Sequence, residues 1–285
     1  MFPTDLRAFP CILCSAHHPE SLPSRRLGAV LVLLYEREGK IRVLLTTRSK
    51  RLRSHPGEVA LPGGRSDDDD ISPIRTALRE ANEEVSLPLG CPHIHVLRIL
   101  PPFPSIYSLV VTPVVSVLND TSILTQLVPN PGEVDDIFDH PLEAFLDYNI
   151  MNDEPNLSPQ DSENWHYPEE LYNQNEHPIF DGNHMYRNNR FRSTSMAVKG
   201  LTSSIMIFVA EIAFNRKPSF QHLSALHLPF GESVRAIVEG KLMRPSDLQL
   251  PTTSPYRTRL QDEISAEEGG YTLDGSMTPG VVPEA

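Results

Sequence analysis

Three glutamates, Glu80, Glu83 and Glu84, lie close together in a segment whose pattern predicts a helix over residues 73 to 85. At about 100° per residue they fall on one side of that helix, away from its apolar stripe. Like charges three and four positions apart repel one another. Because Mg²⁺ and Mn²⁺ prefer oxygen ligands, three converging carboxylates predict a divalent-cation site. A solvated helix face is the alternative explanation.

The residues before the glutamates predict how they are positioned. Ser72 is a suitable N-cap, and Pro73 suits the first helical position, where its missing N–H costs nothing. Gly63 and Gly64 allow the preceding loop to bring its backbone close to a ligand. Arg79 lies beside the cluster, where it is a candidate partner for the carboxylates. The predicted apolar stripe consists of Ile74, Ala77, Leu78, Ala81 and Val85.

A basic segment lies upstream of the glycines, although the chain has a net charge of −12. Arginine binds phosphate through paired N–H donors. We therefore predict a substrate-binding loop in which arginines hold phosphate and His55 shapes the loop, an ordinary basic surface turn being the alternative. The basic residues of this segment are Arg48, Lys50, Arg51 and Arg53.

Composition excludes several classes of function. The net charge of −12 and a pI near 5.4 argue against a broad surface for nucleic acid or anionic membrane. The longest apolar stretch, residues 27 to 35, has roughly half of the ~18 to 20 residues that span a bilayer, so no membrane span is predicted. Three cysteines suit a reducing compartment, and the first residues lack the pattern of a secretory signal.

The pattern along the chain predicts one α/β domain with extensions. We place an N-terminal arm at 1 to 24, the domain at 25 to 220 with a polar insertion at 148 to 187, and a largely disordered C-terminal extension at 221 to 285. Apolar runs predict a hairpin, further strands and an apolar helix; these are residues 28 to 35 with 41 to 47, 94 to 100, 107 to 118, the segment MYRNNRFRS, and the helix 201 to 215. Residues 130 to 147 are predicted to mix a turn with helical pieces.

Gly64 and the run REANEEV, residues 79 to 85, resemble the Nudix box. The usual form of that box is a Gly, a Glu six positions later, and then Arg-Glu-apolar-X-Glu-Glu-X-Gly-apolar. Here the loop is one residue longer, the acidic position falls within 67 to 70, and Ser86 replaces the last glycine. The upstream run LLTTRSKRLRSHPGEVALPGG, residues 44 to 64, resembles the signature of the coenzyme A pyrophosphatase branch, which shares the longer loop. Later segments resemble fungal and animal members of that branch.

This resemblance implies a Nudix α/β/α sandwich around a mixed central β-sheet, with the box as a loop-helix-loop. It implies hydrolysis of the diphosphate of coenzyme A or a derivative to 3′,5′-ADP and 4′-phosphopantetheine, with Mg²⁺ or Mn²⁺. The metal ligands would be the three box glutamates and the carbonyl of Gly64, and Arg79 would orient the glutamates. The proton acceptor would be one of the box glutamates, such as Glu80 or Glu83, or Glu133 in the NPGEV loop.

Two other functions remain open from the sequence. The first is a Nudix hydrolase of ADP-ribose, dinucleoside polyphosphates or oxidised nucleoside triphosphates, since the metal-binding residues would be the same. The second is a Nudix fold that has lost catalysis and only binds a ligand. The resemblance suggests the peroxisome, with the cytoplasm as the alternative because the last residues are not of the Ser-Lys-Leu type. It predicts no particular oligomeric state.

Overall fold

A computed structural model of the protein describes residues 26 to 105, 109 to 179 and 184 to 239. The predicted N-terminal arm and residues 240 to 285 of the predicted extension lie outside these ranges. The described strands are β1 (Leu27–Arg37), β2 (Lys40–Arg48), β3 (Val59–Ala60), β4 (Gly63–Arg65), β5 (Ile94–Ile99), β6 (Phe103–Pro104), β7 (Val110–Leu118), β8 (Val134–Pro141), β9 (Tyr172–Ile179) and β10 (His184–Phe191). The described α-helices are α1 (Pro73–Val85), α2 (Gly200–Phe214) and α3 (Phe230–Val238).

The main sheet is mixed, with β1 at its centre. β1 pairs in parallel with β7 and antiparallel with both β2 and β4. Strand β7 also pairs with β5 and β6, while β2 pairs with β3 and β8. The antiparallel pair of β9 and β10 forms a separate two-stranded sheet. The short strand β4 matters most for the site, because it places Gly63 and Gly64 beside β1.

The two faces of the main sheet bury different helices, since successive side chains of a strand point to opposite faces. Leu31 and Leu33 of β1 pack in the apolar cluster that contains the buried residues of α1. Val32 and Leu34 pack in a second cluster that contains the buried residues of α2. The chain thus has helix, sheet and helix layers, which confirms the predicted α/β/α sandwich with a mixed sheet.

Most predicted elements of the domain occur in the structure. The hairpin is β1 and β2, the segment MYRNNRFRS contains all of β10 except its first residue, and the apolar helix is α2. Helix α1 begins at Pro73 as predicted, and the hydroxyl of Ser72 accepts a hydrogen bond from the backbone N–H of Arg75. Within the described ranges, no helix is both apolar enough and long enough to cross a bilayer.

One prediction was wrong, because residues 134 to 141 form strand β8 where a turn with helical pieces was expected. Two consecutive acidic residues, Asp135 and Asp136, have low strand propensity and obscured the pattern. Pairing along nearly the whole of β2 outweighs that local preference. The helical part of the prediction survives only as a 3₁₀ turn at Leu142–Phe145.

The polar insertion packs onto the α2 side of the domain. Tyr172 of β9 stacks on Tyr148, with ring centroids 5.0 Å apart, and both side chains pack against the cluster that contains the buried residues of α2. Part of the predicted C-terminal extension also lies on the domain, since Ile237 of α3 is buried beside Val110. The extension therefore contributes at least one packed helix.

Candidate active site

Helix α1 presents two of its three glutamates, Glu80 and Glu84, to the loop that contains the paired glycines. Its buried residues Ala77, Ala81 and Val85 fix its rotation against the sheet. That rotation turns Glu80 and Glu84 towards β4, which the contacts described below show. The apolar stripe therefore determines which carboxylates can reach the glycine loop.

Glu84 is the most enclosed of the three glutamates, with only 9% of its surface exposed. Its carboxylate accepts a hydrogen bond of 3.0 Å from the backbone N–H of Gly63. Burial raises the pKa of Glu84 to about 7, and the negative charges of Glu80 and Glu133 act in the same direction. The Gly63 N–H and the charge of Arg48 oppose this shift. Glu84 thus lies near other acidic groups, at a position largely shielded from water.

Glu80 lies directly over Gly64. A Cβ atom on Gly64 would come within 2.5 Å of the carboxylate carbon of Glu80, which is far closer than ordinary contact. The glycine is therefore required by the carboxylate above it. Burial raises the pKa of Glu80, whereas the neighbouring Arg79 lowers it.

Arg79 joins the acidic residues of the motif through ion pairs. One of its terminal nitrogens lies 3.0 Å from carboxylate oxygens of both Glu80 and Glu83. The other lies 2.8 Å from Asp70 and donates to the carbonyl of Arg65 at 3.0 Å. Arg79 is thus shared between the helix and the loop before it.

Asp70 takes the acidic position that the sequence placed only within residues 67 to 70. Its side chain is 3% exposed and pairs with Arg79, while its carboxylate also accepts the backbone N–H of Asp67 at 3.0 Å. The hydrogen bond from Arg79 lowers the pKa of Asp70. Asp67 itself lies farther from Arg79, at 3.7 Å, and is largely exposed.

The carbonyl of Gly64 lies beside β1. Gly64 pairs with Ala29 of β1, and its carbonyl oxygen lies 2.7 Å from the position of a Cβ atom on Gly28. The contacts of Gly64 show why it must lack a side chain, since a Cβ atom there would meet Glu80. Its role as a metal ligand stays a prediction.

Glu133 and Arg48 approach the glutamates from two other elements. The backbone N–H of Asn130 donates to the carbonyl of Glu84 at 2.8 Å, which fastens the loop before β8 to the end of α1. The carbonyl of Glu133 accepts the N–H of Ser49 at 2.8 Å, which fastens the same loop to the end of β2. Glu133 and Arg48 are close enough to Glu84 to act on its pKa.

The other predicted substrate-binding residues lie on the loop between β2 and β3. Arg51 and Arg53 are exposed, and His55 adopts a left-handed backbone with φ of 54°. The ring of His55 lies 2.8 Å from the carboxylate of Glu58, so His55 pairs with another residue of the same loop. The structure therefore places His55 as a residue that holds the loop together, and it places both arginines on its surface.

The donor set fits a hard divalent cation, because it consists of carboxylates that raise one another's pKa in a confined place. Among the described residues, however, no three Asp, Glu, His or Cys side chains are arranged to hold a metal ion. Arg79 is paired with both Glu80 and Glu83 through the same nitrogen. Cation binding through all three glutamates requires Glu83, whose side chain is half exposed, to turn away from Arg79.

Sequence reasoning missed Glu58 and Lys199, which lie beside the predicted substrate loop. The Lys199 ammonium is 3.0 Å from the second carboxylate oxygen of Glu58. One signal was present in the sequence, because a lysine immediately before a helix is unfavourable to the helix dipole and is a poor N-cap. The contact itself joins segments too distant in sequence to be paired by pattern alone.

Comparison with known proteins shows the family of the chain. A family model described as the NUDIX domain matches residues 25 to 161. Nudix hydrolase 15, mitochondrial, of Arabidopsis thaliana is 36% identical over 204 residues, which cover 71% of this chain and 63% of that protein. The peroxisomal coenzyme A diphosphatase NUDT7 of Mus musculus is 32% identical over 200 residues, which cover 70% of this chain and 75% of that protein.

Two other similar proteins match the chain over a shorter stretch or at lower identity. The peroxisomal coenzyme A diphosphatase ndx-8 of Caenorhabditis elegans is 41% identical over 122 residues, covering 42% of this chain and 50% of that protein. The chain spans less than two thirds of the length of the Arabidopsis relative. A MutT/nudix family protein of Enterococcus faecalis overlaps 89% of this chain and 84% of its own at 15% identity, but a TM-score of 0.37 adds nothing to the assignment. On the family model and the mouse relative together, the chain belongs to the Nudix family.

Proposed function

We propose that this chain is a pyrophosphohydrolase that depends on Mg²⁺ or Mn²⁺ and cleaves coenzyme A or a derivative to 3′,5′-ADP and 4′-phosphopantetheine. The observation that carries the proposal is the meeting of two features at Glu84. The charges of Glu80 on α1 and of Glu133 on the loop before β8 raise its pKa, and the charge of Arg48 at the start of the basic loop lowers it. A carboxylate site for a cation thus adjoins a basic segment suited to phosphate.

The acidic residues would divide the work of binding and proton transfer. A divalent cation bound by Glu80, Glu83 and Glu84 would neutralise phosphate charge and lower the pKa of a water molecule. Arg79 keeps Glu80 and Glu83 oriented through its ion pairs. Glu133, or one of the box glutamates, would accept the proton of the water that attacks phosphorus as the P–O bond of the diphosphate breaks.

The basic loop supplies the argument about substrate. Coenzyme A carries a 3′-phosphate in addition to its diphosphate, so it needs more cationic contacts than a simple diphosphate. Arg48 lies on the side of the carboxylates, whereas Arg51 and Arg53 are exposed farther along the loop. This spread suits the binding of phosphates at more than one point of the same ligand.

The similarity to relatives supports the same substrate class. The mouse and nematode proteins described above are named as coenzyme A diphosphatases, and both are named as peroxisomal. A peroxisomal location of this chain is a proposal on that basis alone.

The test is product formation from coenzyme A with Mg²⁺ or Mn²⁺, resolving 3′,5′-ADP from phosphopantetheine. Glu83→Gln is expected to be slower than wild type by roughly 10² or more. The control is Glu232→Gln, which changes an exposed glutamate in the first turn of α3 and should retain wild-type rates. Cleavage of ADP-ribose with coenzyme A left intact would refute the substrate assignment. Metal-independent binding without cleavage of either compound would favour a ligand-binding module.

A further inference from the structure

Residues 195 to 202, which include the first turn of α2 and the residues just before it, contact both ends of the basic loop. The hydroxyls of Thr47 and Ser195 are 2.7 Å apart, at the end of β2 where the loop begins. The hydroxyl of Thr202 donates to the carbonyl of Val59 at 3.1 Å, where the loop ends. Segments 148 and 143 residues apart in sequence are joined by these two contacts.

Lys199 makes a third contact between these segments, with a residue of the loop itself. Glu58 uses one carboxylate oxygen for the ring of His55, at 2.8 Å, and the other for the Lys199 ammonium, at 3.0 Å. All three side chains are partly enclosed. Although burial opposes it, pairing with His55 and Lys199 lowers the pKa of Glu58 to about 2. The carboxylate therefore stays ionised and can hold both partners at neutral pH.

The same carboxylate belongs to the backbone network that shapes the loop. The N–H of Glu58 donates to the carbonyl of His55 at 3.2 Å, and the N–H of Arg48 donates to the carbonyl of Glu58 at 2.9 Å. The N–H of Gly57 in turn donates to the carbonyl of Arg48 at 3.0 Å. Fixing Glu58 thus fixes the backbone of Arg48, whose charge acts on Glu84.

The position of Lys199 is unfavourable for helix α2. It is the N-cap residue, and its side chain makes no capping hydrogen bond. A positive charge at a helix N-terminus opposes the helix dipole. The pairing with Glu58 gives this lysine a role that helix formation does not.

We propose that Lys199 is a positioning residue, which acts through Glu58 to hold the basic loop of residues 48 to 58 in the form that binds the phosphates of the substrate. The proposal rests on the proposed function for its substrate, but the held loop is a property of the protein alone. Loss of Lys199 should loosen the loop and weaken binding of substrate while leaving the carboxylate site intact. If the lysine had no such positioning role, its loss would change neither the mobility of the loop nor the binding of substrate.

The first measurement is hydrogen–deuterium exchange over residues 48 to 58 in the full chain, without substrate. In Lys199→Met, exchange in this loop is expected to be about 5- to 10-fold faster, because local opening becomes easier. Lys199→Arg should restore slow exchange, since it keeps the charge. Lys217→Met is the matched control, because Lys217 forms an equally short pair, 3.0 Å, with Glu211 at the other end of α2. Unchanged exchange in Lys199→Met would overturn the proposal.

The second measurement is steady-state hydrolysis of coenzyme A by the same proteins. Lys199→Met is expected to raise KM about 5- to 10-fold with kcat within about 2-fold, which is the pattern for lost uniform binding. A raised KM with unchanged loop exchange would overturn positioning in favour of direct contact with substrate. Wild type that leaves coenzyme A intact would refute the proposed function, and exchange would still decide the role of Lys199.

A second variant guards against misfolding of the first. Glu58→Gln keeps the shape of the side chain but loses the charge that pairs with Lys199. It is expected to show the same faster exchange of the loop, at an unfolding midpoint close to that of wild type. Slow exchange in Glu58→Gln would count against the proposal even if Lys199→Met failed to fold.

Discussion

Replacement of Gly64 by alanine is expected to disable the site while the protein stays folded. The new Cβ atom would lie 2.5 Å from Cδ and from one carboxylate oxygen of Glu80, about 0.9 Å short of the 3.4 Å at which ordinary contact begins. The end of a glutamate side chain can move by this amount, whereas backbone cannot. The carboxylate of Glu80 should therefore be displaced by about 1 Å, and displacement of a reacting group by that distance reduces rates by roughly 10².

Gly63 provides the comparison, because alanine there would meet backbone. Its Cβ atom would lie 2.4 Å from the carbonyl oxygen of Ala29 and 2.6 Å from Cα of Val30, at a φ of 151°. Neither atom can yield without disturbing the pairing of β1 with β4. Gly63→Ala is expected to lower the free energy of unfolding by about 3 kcal/mol or more, whereas Gly64→Ala should change it by no more than about 1 kcal/mol.

The two variants are distinguished by urea unfolding and by the rate of diphosphate hydrolysis, each measured against wild type. Gly64→Ala should unfold near the wild-type midpoint with kcat/KM about 10²-fold lower. Gly63→Ala should show a shifted midpoint whatever its activity. A fully active Gly64→Ala protein would refute the claim that Glu80 must lie over Gly64. Equal destabilisation by both substitutions would refute the distinction between side-chain and backbone obstruction.

Three further outcomes follow from the same structure. Arg79→Leu should lower the free energy of unfolding at pH 7 by about 2 kcal/mol, since the enclosed Asp70 loses its cation. Pairing lowers the folded pKa of Asp70 from 3.8, so this stabilisation is present above that pH and lost below it; equal losses at pH 7 and pH 3 in urea titrations would contradict it. His140 is fully buried and burial lowers its pKa to about 3, so wild type should lose stability as the pH falls from 6.5 towards 3. In His140→Phe the unfolding free energy should fall less steeply with pH, by up to the equivalent of about one bound proton. Identical pH dependences in the two proteins would argue against this role of His140. Ser86 has a left-handed φ of 58°, so Ser86→Gly should raise the unfolding free energy by about 0.5 kcal/mol and Ser86→Val lower it by about 1 to 2 kcal/mol, as thermal unfolding can check.

Helix α1 and its glutamates were predictable because their signals are local. A cap at Ser72, a proline at the first position and an apolar stripe occur within fourteen consecutive residues, 72 to 85, and each favours the same helix. The paired glycines follow the same logic, although their separate roles required coordinates. The sequence predicted a loop whose backbone can come close to a ligand, and the structure shows that a Cβ atom would meet Glu80 at Gly64 and the backbone of β1 at Gly63.

Strand β8 and Lys199 were not predictable because their reasons are distant in sequence. β8 has acidic residues where a strand is usually apolar or β-branched, and its stability comes from pairing with β2. Lys199 was overlooked because no pattern joins it to a glutamate so far away.

The longer loop of the Nudix box in this chain leaves the ion pair of the motif intact. Asp70 lies six positions after Gly64, as the usual pattern requires of its acidic residue, so the additional residue must lie between Asp70 and Arg79. Ile71, which follows Asp70, is 93% exposed, which is unusual for isoleucine and means that its side chain adds little to the packing of the loop. Ser72 caps the helix that begins at Pro73, and Arg79 on that helix lies 2.8 Å from Asp70. The insertion therefore lengthens the loop without separating the ion pair that holds the motif together.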